Sequence, residues 1–126
     1  MIAIGGKSMG KFQDLRVWQR SKDLAIFIYI LTAKGPISKD FGLRDQIRKA
    51  AVSMPSNIAE GDELDSNQQA VRHFYIAKGS AAEVFTQALI AYEIGYIDKE
   101  SFEFIEKERT AISSMLSRLI RARSKK

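Results

Sequence analysis

SNQQAVRHFYIAKGSAAEVFTQALIAYEIG, residues 66–95, carries both a start signal and a stop signal for one long helix. Ser66 and Gln69 have the spacing of a capping box, and Gly95 is the residue type that most often ends a helix. Small residues recur through the segment and would let a neighbouring helix approach closely: Ala77, Gly79, Ser80, Ala81, Ala82, Ala88 and Ala91. The segment therefore predicts a long helix over 66–94 with a close packing partner.

Three further helical segments surround this one, at about 14–34, 40–60 and 98–123. Each has apolar residues at helical spacing, and no segment alternates between apolar and polar residues like a strand. Because the connections are short, neighbouring helices should run antiparallel. The sequence thus predicts an all-α fold, an antiparallel up-down-up-down four-helix bundle.

Specific residues mark the predicted helix ends. Asp14 and Asp98 are candidate N-caps, and Gly61 is expected to end the second helix before a polar loop at 62–65. Pro55 lies inside the second helix, where it removes a backbone donor and clashes with the carbonyl four residues earlier. We expect a kink or break there, at a cost of about 3 kcal/mol.

Length and composition indicate a single globular domain. The chain has 126 residues, of which 45% are hydrophobic, and only 2 prolines, so it can bury a core without a staple. The lack of cysteine excludes disulfides, thiolate metal sites and a cysteine nucleophile, and it fits a cytoplasmic protein. We expect a weakly ordered extension at 1–10, the bundle at 11–123 and a basic tail at 124–126. Met9 is an alternative start, which would leave residues 1–8 outside the native chain.

The second half of the first helix, residues 25–31, is apolar on every side. A helix in a lone small bundle needs only one apolar stripe, so this segment predicts a second surface that buries it, most simply another subunit. The longest apolar run is well short of the roughly 20 residues that span a membrane, so no membrane association is expected.

The net charge of +5 is unevenly distributed, with +6 on residues 1–49, −7 on 50–108 and +6 on 109–126. Such asymmetry suggests a polyanion partner or complementary contacts between subunits. Two groups of cations are candidates for nucleic-acid binding, Arg44, Arg48 and Lys49 in the first and Arg118, Arg121, Arg123, Lys125 and Lys126 in the second. Cations also suit the last turn of any helix. No aromatic residue is interleaved with these cations, so we expect phosphate attraction without base stacking or sequence readout.

Polar residues form a stripe on each of two predicted helices, with Gln46, Ser53, Asn57 and Glu60 on the second and Ser80, Glu83 and Gln87 on the third. Two interpretations are open. One is a hydrogen-bond network that fixes helix register and satisfies carbonyls freed by Pro55. The other is a ligand or catalytic pocket around Glu60 and Glu83, since paired carboxylates are common acid-base groups. The first is favoured because no histidine, metal-ligand set or glycine-rich loop accompanies the carboxylates.

Other motifs of catalysis and metal binding are incomplete. Gly6-Lys7-Ser8 resembles the end of a phosphate-binding loop, but Met1 stands where that motif needs a glycine. His73 is the only histidine, and Ala70 rather than a glutamate lies three residues before it, which excludes the di-metal motif of helix bundles. No serine has nucleophile-elbow spacing. We therefore expect no enzymatic activity, no cofactor and no metal.

Several strings resemble one known family: FQDLRVWQ at 12–19, GLRDQIRKA at 42–50, SMPSNIAEG at 53–61, FYIAKGS at 74–80 with Glu83, and GYI at 95–97. Together they resemble the four-helix-bundle proteins encoded within intervening sequences of bacterial 23S ribosomal RNA genes. The accessory variability proteins of diversity-generating retroelements are related to that family. The resemblance covers about residues 11–120.

The resemblance implies a four-helix bundle that assembles as a ring-like homopentamer with no established enzymatic activity. In the retroelement branch it implies binding to nucleic acid and to a reverse transcriptase through basic surface. This chain departs from the family pattern after Gly61, where the loop is acidic and Leu64 stands near the position of a basic residue.

These observations predict a non-enzymatic, homo-oligomeric helical scaffold that binds RNA or DNA backbone through its basic ends. A first alternative is a scaffold that docks protein partners or subunits only, without nucleic acid. A second alternative, the least supported, is an enzyme that uses Glu60 and Glu83.

Overall fold

The computed structural model describes residues 11–64 and 66–124, and its regular structure in these ranges is entirely helical. The four α-helices are α1, Arg16–Leu31; α2, Phe41–Glu63; α3, Asn67–Glu93; and α4, Lys99–Ser124. Short 3-10 helices, Phe12–Asp14 and Pro36–Lys39, precede α1 and α2. The predicted all-α fold is confirmed. The expected extension at 1–10 lies outside the described residues.

The four helices close into a bundle around one core. α3 packs against both α2 and α4, and α1 packs against the same two helices from the other side. Large apolar side chains from all four helices are fully buried, among them Leu24 and Ile28 of α1, Met54 and Ile58 of α2, Phe74 of α3, and Ile112 and Leu116 of α4. On α3 the core positions are mostly alanine, Ala70, Ala77, Ala81, Ala88 and Ala91, and these small side chains let the neighbouring helices lie close to it.

Three of the helices begin with a side-chain cap. Asp40, Ser66 and Asp98 accept hydrogen bonds from the backbone N–H three residues later, at 3.2, 3.3 and 2.8 Å respectively. The bonds that Ser101 donates to the Asp98 carboxylate lower the pKa of that group. An acceptor at this position satisfies a backbone donor that the helix itself leaves unpaired.

The predicted N-cap at Asp14 is wrong. α1 begins at Arg16, and Leu15 takes the cap position with an extended backbone and no side-chain cap bond. Asp14 instead lies in the preceding 3-10 helix. The ring of Phe12 packs edge-on against Trp18, 5.3 Å between centroids, and this contact holds the preceding turn against α1.

The predicted stop at Gly61 is also wrong, as is a break at Pro55. α2 runs through both residues to Glu63, so the loop expected at 62–65 starts later. Gly61 serves packing instead, since a Cβ atom there would lie 2.8 Å from Cε1 of Phe74. Met54 and Ile58 are fully buried on either side of Pro55, and their packing keeps the flanking turns helical.

One ion pair joins α1 to α4. Nε of Arg20 lies 2.7 Å from the carboxylate of Glu108, whose side chain is only 13% exposed. This hydrogen bond raises the pKa of Arg20. Farther along the same pair of helices, the rings of Phe27 and Phe104 lie 4.6 Å apart. α1 is therefore tied to α4 by charge at one level and by aromatic packing at another.

Part of the apolar second half of α1 remains uncovered in the single chain. Ile26, Tyr29 and Ile30 are 50%, 43% and 62% exposed. They line an open cleft of about 310 Å³ together with Lys22, Ala25, Val52 and Pro55. In the part of the chain that the structure describes, no helix is both long and apolar enough to cross a bilayer.

Candidate functional site

A chain of hydrogen bonds links α2 to α3 where the polar stripes meet. Oγ of Ser80 donates to Oγ of Ser53 at 2.7 Å, and the Asn57 amide donates to the hydroxyl and the carbonyl oxygen of Ser53 at 3.1 and 3.0 Å. Oδ1 of Asn57 lies 2.9 Å from Nδ1 of His73, which lies 3.8 Å from the carboxylate of Glu60. The expectation that no histidine accompanies the carboxylates is therefore wrong for Glu60. These polar groups therefore take one another as partners across the helix pair.

The network does not serve the carbonyl that Pro55 frees. That carbonyl belongs to Ala51, four residues earlier, whereas the Asn57 amide reaches the carbonyl of Ser53. The expectation that the stripe satisfies freed carbonyls is wrong in this respect. The hydrogen bond between Ser80 and Ser53 joins the two helices instead.

Glu83 lies at an open cleft of about 310 Å³ on the same helix pair, lined by Gln46, Lys49, Ala50, Ser53, Glu83 and Gln87. Nε2 of Gln87 donates to Oε1 of Gln46 at 3.3 Å. Oε1 of Gln87 is buried without a hydrogen-bond partner among the described residues.

Glu60 and Glu83 are not a carboxylate pair. Ser53 faces Ser80 in an antiparallel register, so Glu83 lies beside residue 50, ten residues from Glu60. Ten residues of helix span about 15 Å, whereas paired catalytic carboxylates stand roughly 5–10 Å apart. The two groups therefore lack the geometry that the catalytic interpretation requires. Within 11–64 and 66–124, no three His, Asp or Glu side chains are grouped to hold a metal ion.

In the first group of candidate cations, Arg48 is engaged within the fold. Its Nε donates to Oγ1 of the buried Thr32 at 2.8 Å, and its Nη2 donates to the carbonyl of Tyr29 at 3.2 Å. The guanidinium carbon also lies 4.5 Å from the centroid of the Tyr29 ring. Arg48 thus caps the C-terminal end of α1, where a cation also complements the helix dipole.

Arg44 is likewise engaged, whereas Lys49 makes no ion pair or hydrogen bond with a residue that the structure describes. Nε of Arg44 lies 2.9 Å from the Asp45 carboxylate, and its guanidinium stands 4.7 Å from the ring centroid of Phe41. Lys49 is exposed at the edge of the cleft that contains Glu83. The first group therefore offers mainly Lys49, which lines the same cleft as the Glu83 carboxylate and is a weak attraction for a polyanion.

In the second group, Arg123 is also committed to the fold. Its Nη2 lies 2.8 Å from the Asp62 carboxylate, its Nη1 donates to Oδ1 of Asn67 at 3.3 Å, and its guanidinium lies 5.5 Å from the Phe74 ring centroid. Arg118 is exposed and donates to Oγ of Ser114 at 3.1 Å. Lys125 and Lys126 lie outside the described residues.

Arg121 lies near two cations of α3, Arg72 and Lys78, that were not identified as candidates from the sequence. It lines an open cleft of about 340 Å³ with Tyr75, Lys78, Ser117, Ile120 and Ser124. A second cleft of about 470 Å³ is lined by Asn67, Gln68, Val71, Arg72, Tyr75, Arg123 and Ser124. Because Tyr75 and Ser124 belong to both, the two clefts form one surface between α3 and α4, which we call the Tyr75 groove.

The Tyr75 groove is formed by helical segments without carboxylates. Residues 66–82 and 109–124 contain no Asp or Glu. The cations on its walls are Arg72, Lys78, Arg121 and Arg123, and Arg123 is held by Asp62. Positive charge from two helices therefore adds up in one groove, with no opposing charge from the segments 66–82 and 109–124 that form it.

No aromatic residue is interleaved with the C-terminal cations along the chain, but the fold places one beside Arg121. Tyr75 comes from α3, is 58% exposed and lies in the same groove as Arg121. The cations and the ring are far apart in the sequence, so a search along one helix misses them. The available signal was the carboxylate-free composition of 66–82, in which Arg72, Tyr75 and Lys78 follow one another at intervals of three residues.

Residues 13–118 match the protein family described as 23S rRNA-intervening sequence protein. The chain is also similar to a crystal structure of a protein of unknown function from the S23 ribosomal protein family of Bacteroides thetaiotaomicron, with a TM-score of 0.76 and 25% sequence identity. That match covers 82% of this chain and 97% of the other. No curated protein matches the chain significantly. The family match contains the first three helices and most of the fourth, so the chain belongs to the 23S rRNA-intervening sequence protein family.

Proposed function

We propose that this protein is a non-enzymatic, homo-oligomeric scaffold of the cytoplasm that binds the phosphate backbone of RNA or DNA. The observation that carries the nucleic-acid part is the Tyr75 groove, where cations of α3 and α4 line one surface and the groove-forming segments lack Asp and Glu. Phosphate binding by Lys and Arg releases condensed counterions, so such a surface attracts nucleic acid without reading its sequence.

The contacts within the fold divide the candidate cations into two classes. Arg44, Arg48 and Arg123 make ion pairs or hydrogen bonds that hold elements together, and these contacts reduce what they offer to phosphate. Arg118, Arg121 and Lys49 are exposed, and Arg121 lines the Tyr75 groove. Lys125 and Lys126 follow α4 in the sequence and add two positive charges. We assign the main phosphate contacts to Arg72, Lys78 and Arg121.

The homo-oligomeric part of the proposal rests on the exposed apolar face of α1. Ile26, Tyr29 and Ile30 lie together and are each more than two-fifths exposed. Contiguous exposed apolar patches on soluble proteins mark interaction sites. A second copy that covers this face would bury it, and we propose a closed ring of five copies, as the family resemblance implies.

Salt dependence of binding tests the nucleic-acid part. We expect the full-length protein to bind an RNA oligonucleotide with an affinity that falls steeply as salt rises. The double variant Lys78→Ala, Arg121→Ala should bind more weakly and lower the slope of log affinity against log salt by about 1 per cation removed. Lys107→Ala is the matched control, because this exposed lysine of α4 lies among glutamates and away from the groove. Binding that is absent at low salt, or that survives high salt, would overturn the proposal and favour a scaffold for proteins only.

Light scattering with and without RNA tests the oligomeric part. We expect a mass near five chains for the native protein and a smaller mass for Ile30→Lys, which puts a charge on the exposed apolar face of α1. Lys107→Ala should keep the native mass. A monomeric native protein would contradict the oligomeric proposal. It would not bear on phosphate binding by the groove, which the salt-dependence experiment tests.

A further inference from the structure

Tyr75 differs from the other exposed aromatic residues of the described chain. Tyr29, Phe41 and Phe104 are at least 40% exposed, and each is in contact with a cation or another ring. Tyr75 is 58% exposed and makes no such contact with any residue that the structure describes. More than half of its surface is therefore accessible to a ligand, and no described ring or cation competes for it.

The cations around Tyr75 line the groove without covering the ring. Arg72 and Lys78 lie three residues before and after it on α3, about 4.5 Å along the helix axis in each direction, and Arg121 approaches from α4. A ligand that fits this arrangement combines a flat aromatic surface with negative charges on both sides of it. A nucleotide in a strand has this form, since its base has a π face and its phosphates flank it.

The availability of the base distinguishes single strands from duplexes. In a duplex the base faces are stacked on one another, so only the backbone can reach the groove. In a single strand a base can leave its neighbours and stack on an aromatic side chain, while groove cations hold the backbone. Stacking of this kind tolerates any base, because every base has a π face.

We propose that the Tyr75 groove binds single-stranded RNA or DNA, with one base stacked on Tyr75 and the flanking phosphates held by Arg72, Lys78 and Arg121. This inference rests on the proposed function, because the phosphate contacts are the same. It adds a selectivity for single strands and assigns it to one side chain.

Fluorescence anisotropy with the full-length protein tests the inference. The probes are labelled oligo-U, oligo-dT and a mixed-sequence DNA duplex, all of equal length and measured at one low salt concentration. We expect at least one of the single strands to bind about tenfold more tightly than the duplex. Tyr75→Ala should lose about that tenfold for the single strand and leave duplex affinity unchanged, whereas Tyr75→Phe should keep most of it.

Phe41→Ala is the matched control, because Phe41 is similarly exposed but lies under Arg44. It should leave single-strand binding unchanged, and thermal melting should show that Tyr75→Ala folds like the native protein. Equal affinity for single strands and duplex would overturn the stacking inference, and so would single-strand binding that Tyr75→Ala leaves unaltered. In either case the proposed function would still stand if binding were salt-sensitive. If none of the three probes bound, the proposed function itself would fail.

Discussion

α3 packs against two neighbours, and it does so differently on its two sides. Toward α2, Ser80 bonds to Ser53, and Gly61 lies so close to Phe74 that a Cβ atom there would stand at 2.8 Å. Toward the C-terminal part of α4, the two helices leave open clefts that share Tyr75. The first side is closed by its own side chains from the Ser53–Ser80 bond to the Gly61–Phe74 contact, and we call this stretch the α2–α3 seam. The cleft at Glu83 lies beyond its Ser53 end, whereas the Tyr75 groove is open along its length.

The difference shows what makes a polar surface available to a ligand. In the α2–α3 seam, small residues bring the helices together, and the polar side chains become each other's partners. In the Tyr75 groove, the facing cations Arg72, Lys78 and Arg121 carry the same sign and cannot pair with one another. An anionic partner for them would therefore come from outside the segments that form the groove. Substitutions in the seam should consequently change stability, and substitutions in the groove should change binding.

The largest effect is expected at the tightest point of the seam. In Gly61→Ala the new methyl group would press on Cε1 of Phe74 and the carbonyl oxygen of Ala70, at 2.8 and 3.1 Å. Gly79→Ala is the control, because a Cβ atom there meets nothing within 4 Å. Both changes gain about 1 kcal/mol of helix propensity, so the difference between their free energies of unfolding isolates the contact. We expect Gly61→Ala to be less stable than Gly79→Ala by about 2 kcal/mol in urea denaturation. Equal free energies of unfolding would show that the packing around Gly61 has room for a methyl group, and that the seam is not tightly closed.

An intermediate effect is expected for the hydrogen bond that joins the two helices of the seam. Ser80 is 5% exposed and donates to Ser53 at 2.7 Å. Ser80→Ala should lower the free energy of unfolding by about 1 kcal/mol, and a double-mutant cycle with Ser53→Ala should show coupling. Ser114→Ala, at an exposed position of α4, should change stability by less than about 0.5 kcal/mol. Additive effects of the two seam serines would argue against a shared bond.

The same comparison explains how much of the fold could be predicted. Helical spacing, the caps at Ser66 and Asp98, and the small residues of α3 each report a local preference or a periodic pattern. Such features depend on neighbours in the sequence, and they led to the correct fold. The prediction for Gly61 was wrong because glycine can either end a helix or allow another helix to pack closely against it. The choice between these roles depends on the position of Phe74, which is distant in the sequence.

The candidate site could be predicted only in part, because it depends on which surfaces the bundle brings together. Arg121 was found as part of a basic end, but Tyr75 and Lys78 come from another helix and needed the packing of α3 on α4. Conversely, the sequence counts Arg48 as positive surface, although Thr32 and the carbonyl of Tyr29 hold it at the end of α1. Net charge can be read from composition, whereas the availability of each charge depends on its contacts in three dimensions.

The smallest loss of stability is expected for Arg123, which lies where the α2–α3 seam meets the Tyr75 groove. This residue also gives the most direct test of the difference between the two surfaces. Arg123 lines the groove but bonds to Asp62 of α2, and the two side chains are 24% and 17% exposed. Arg123→Ala should therefore lower the free energy of unfolding by about 1 kcal/mol or less, after allowance for solvent screening of this partly exposed pair. Its neighbour Arg121, on the same helix, lines the groove and is exposed. Arg121→Ala should leave stability unchanged and weaken RNA binding.

These two arginines lie two residues apart on α4, and the substitutions remove the same charge. Denaturation and anisotropy measured on both variants should therefore give opposite rankings, with Arg123→Ala ranked first for loss of stability and Arg121→Ala first for loss of affinity. If Arg121→Ala lost stability and Arg123→Ala lost affinity, the contact with Asp62 would not commit Arg123 to the fold. The contacts that a cation makes within the fold would then not predict whether it is free to bind RNA.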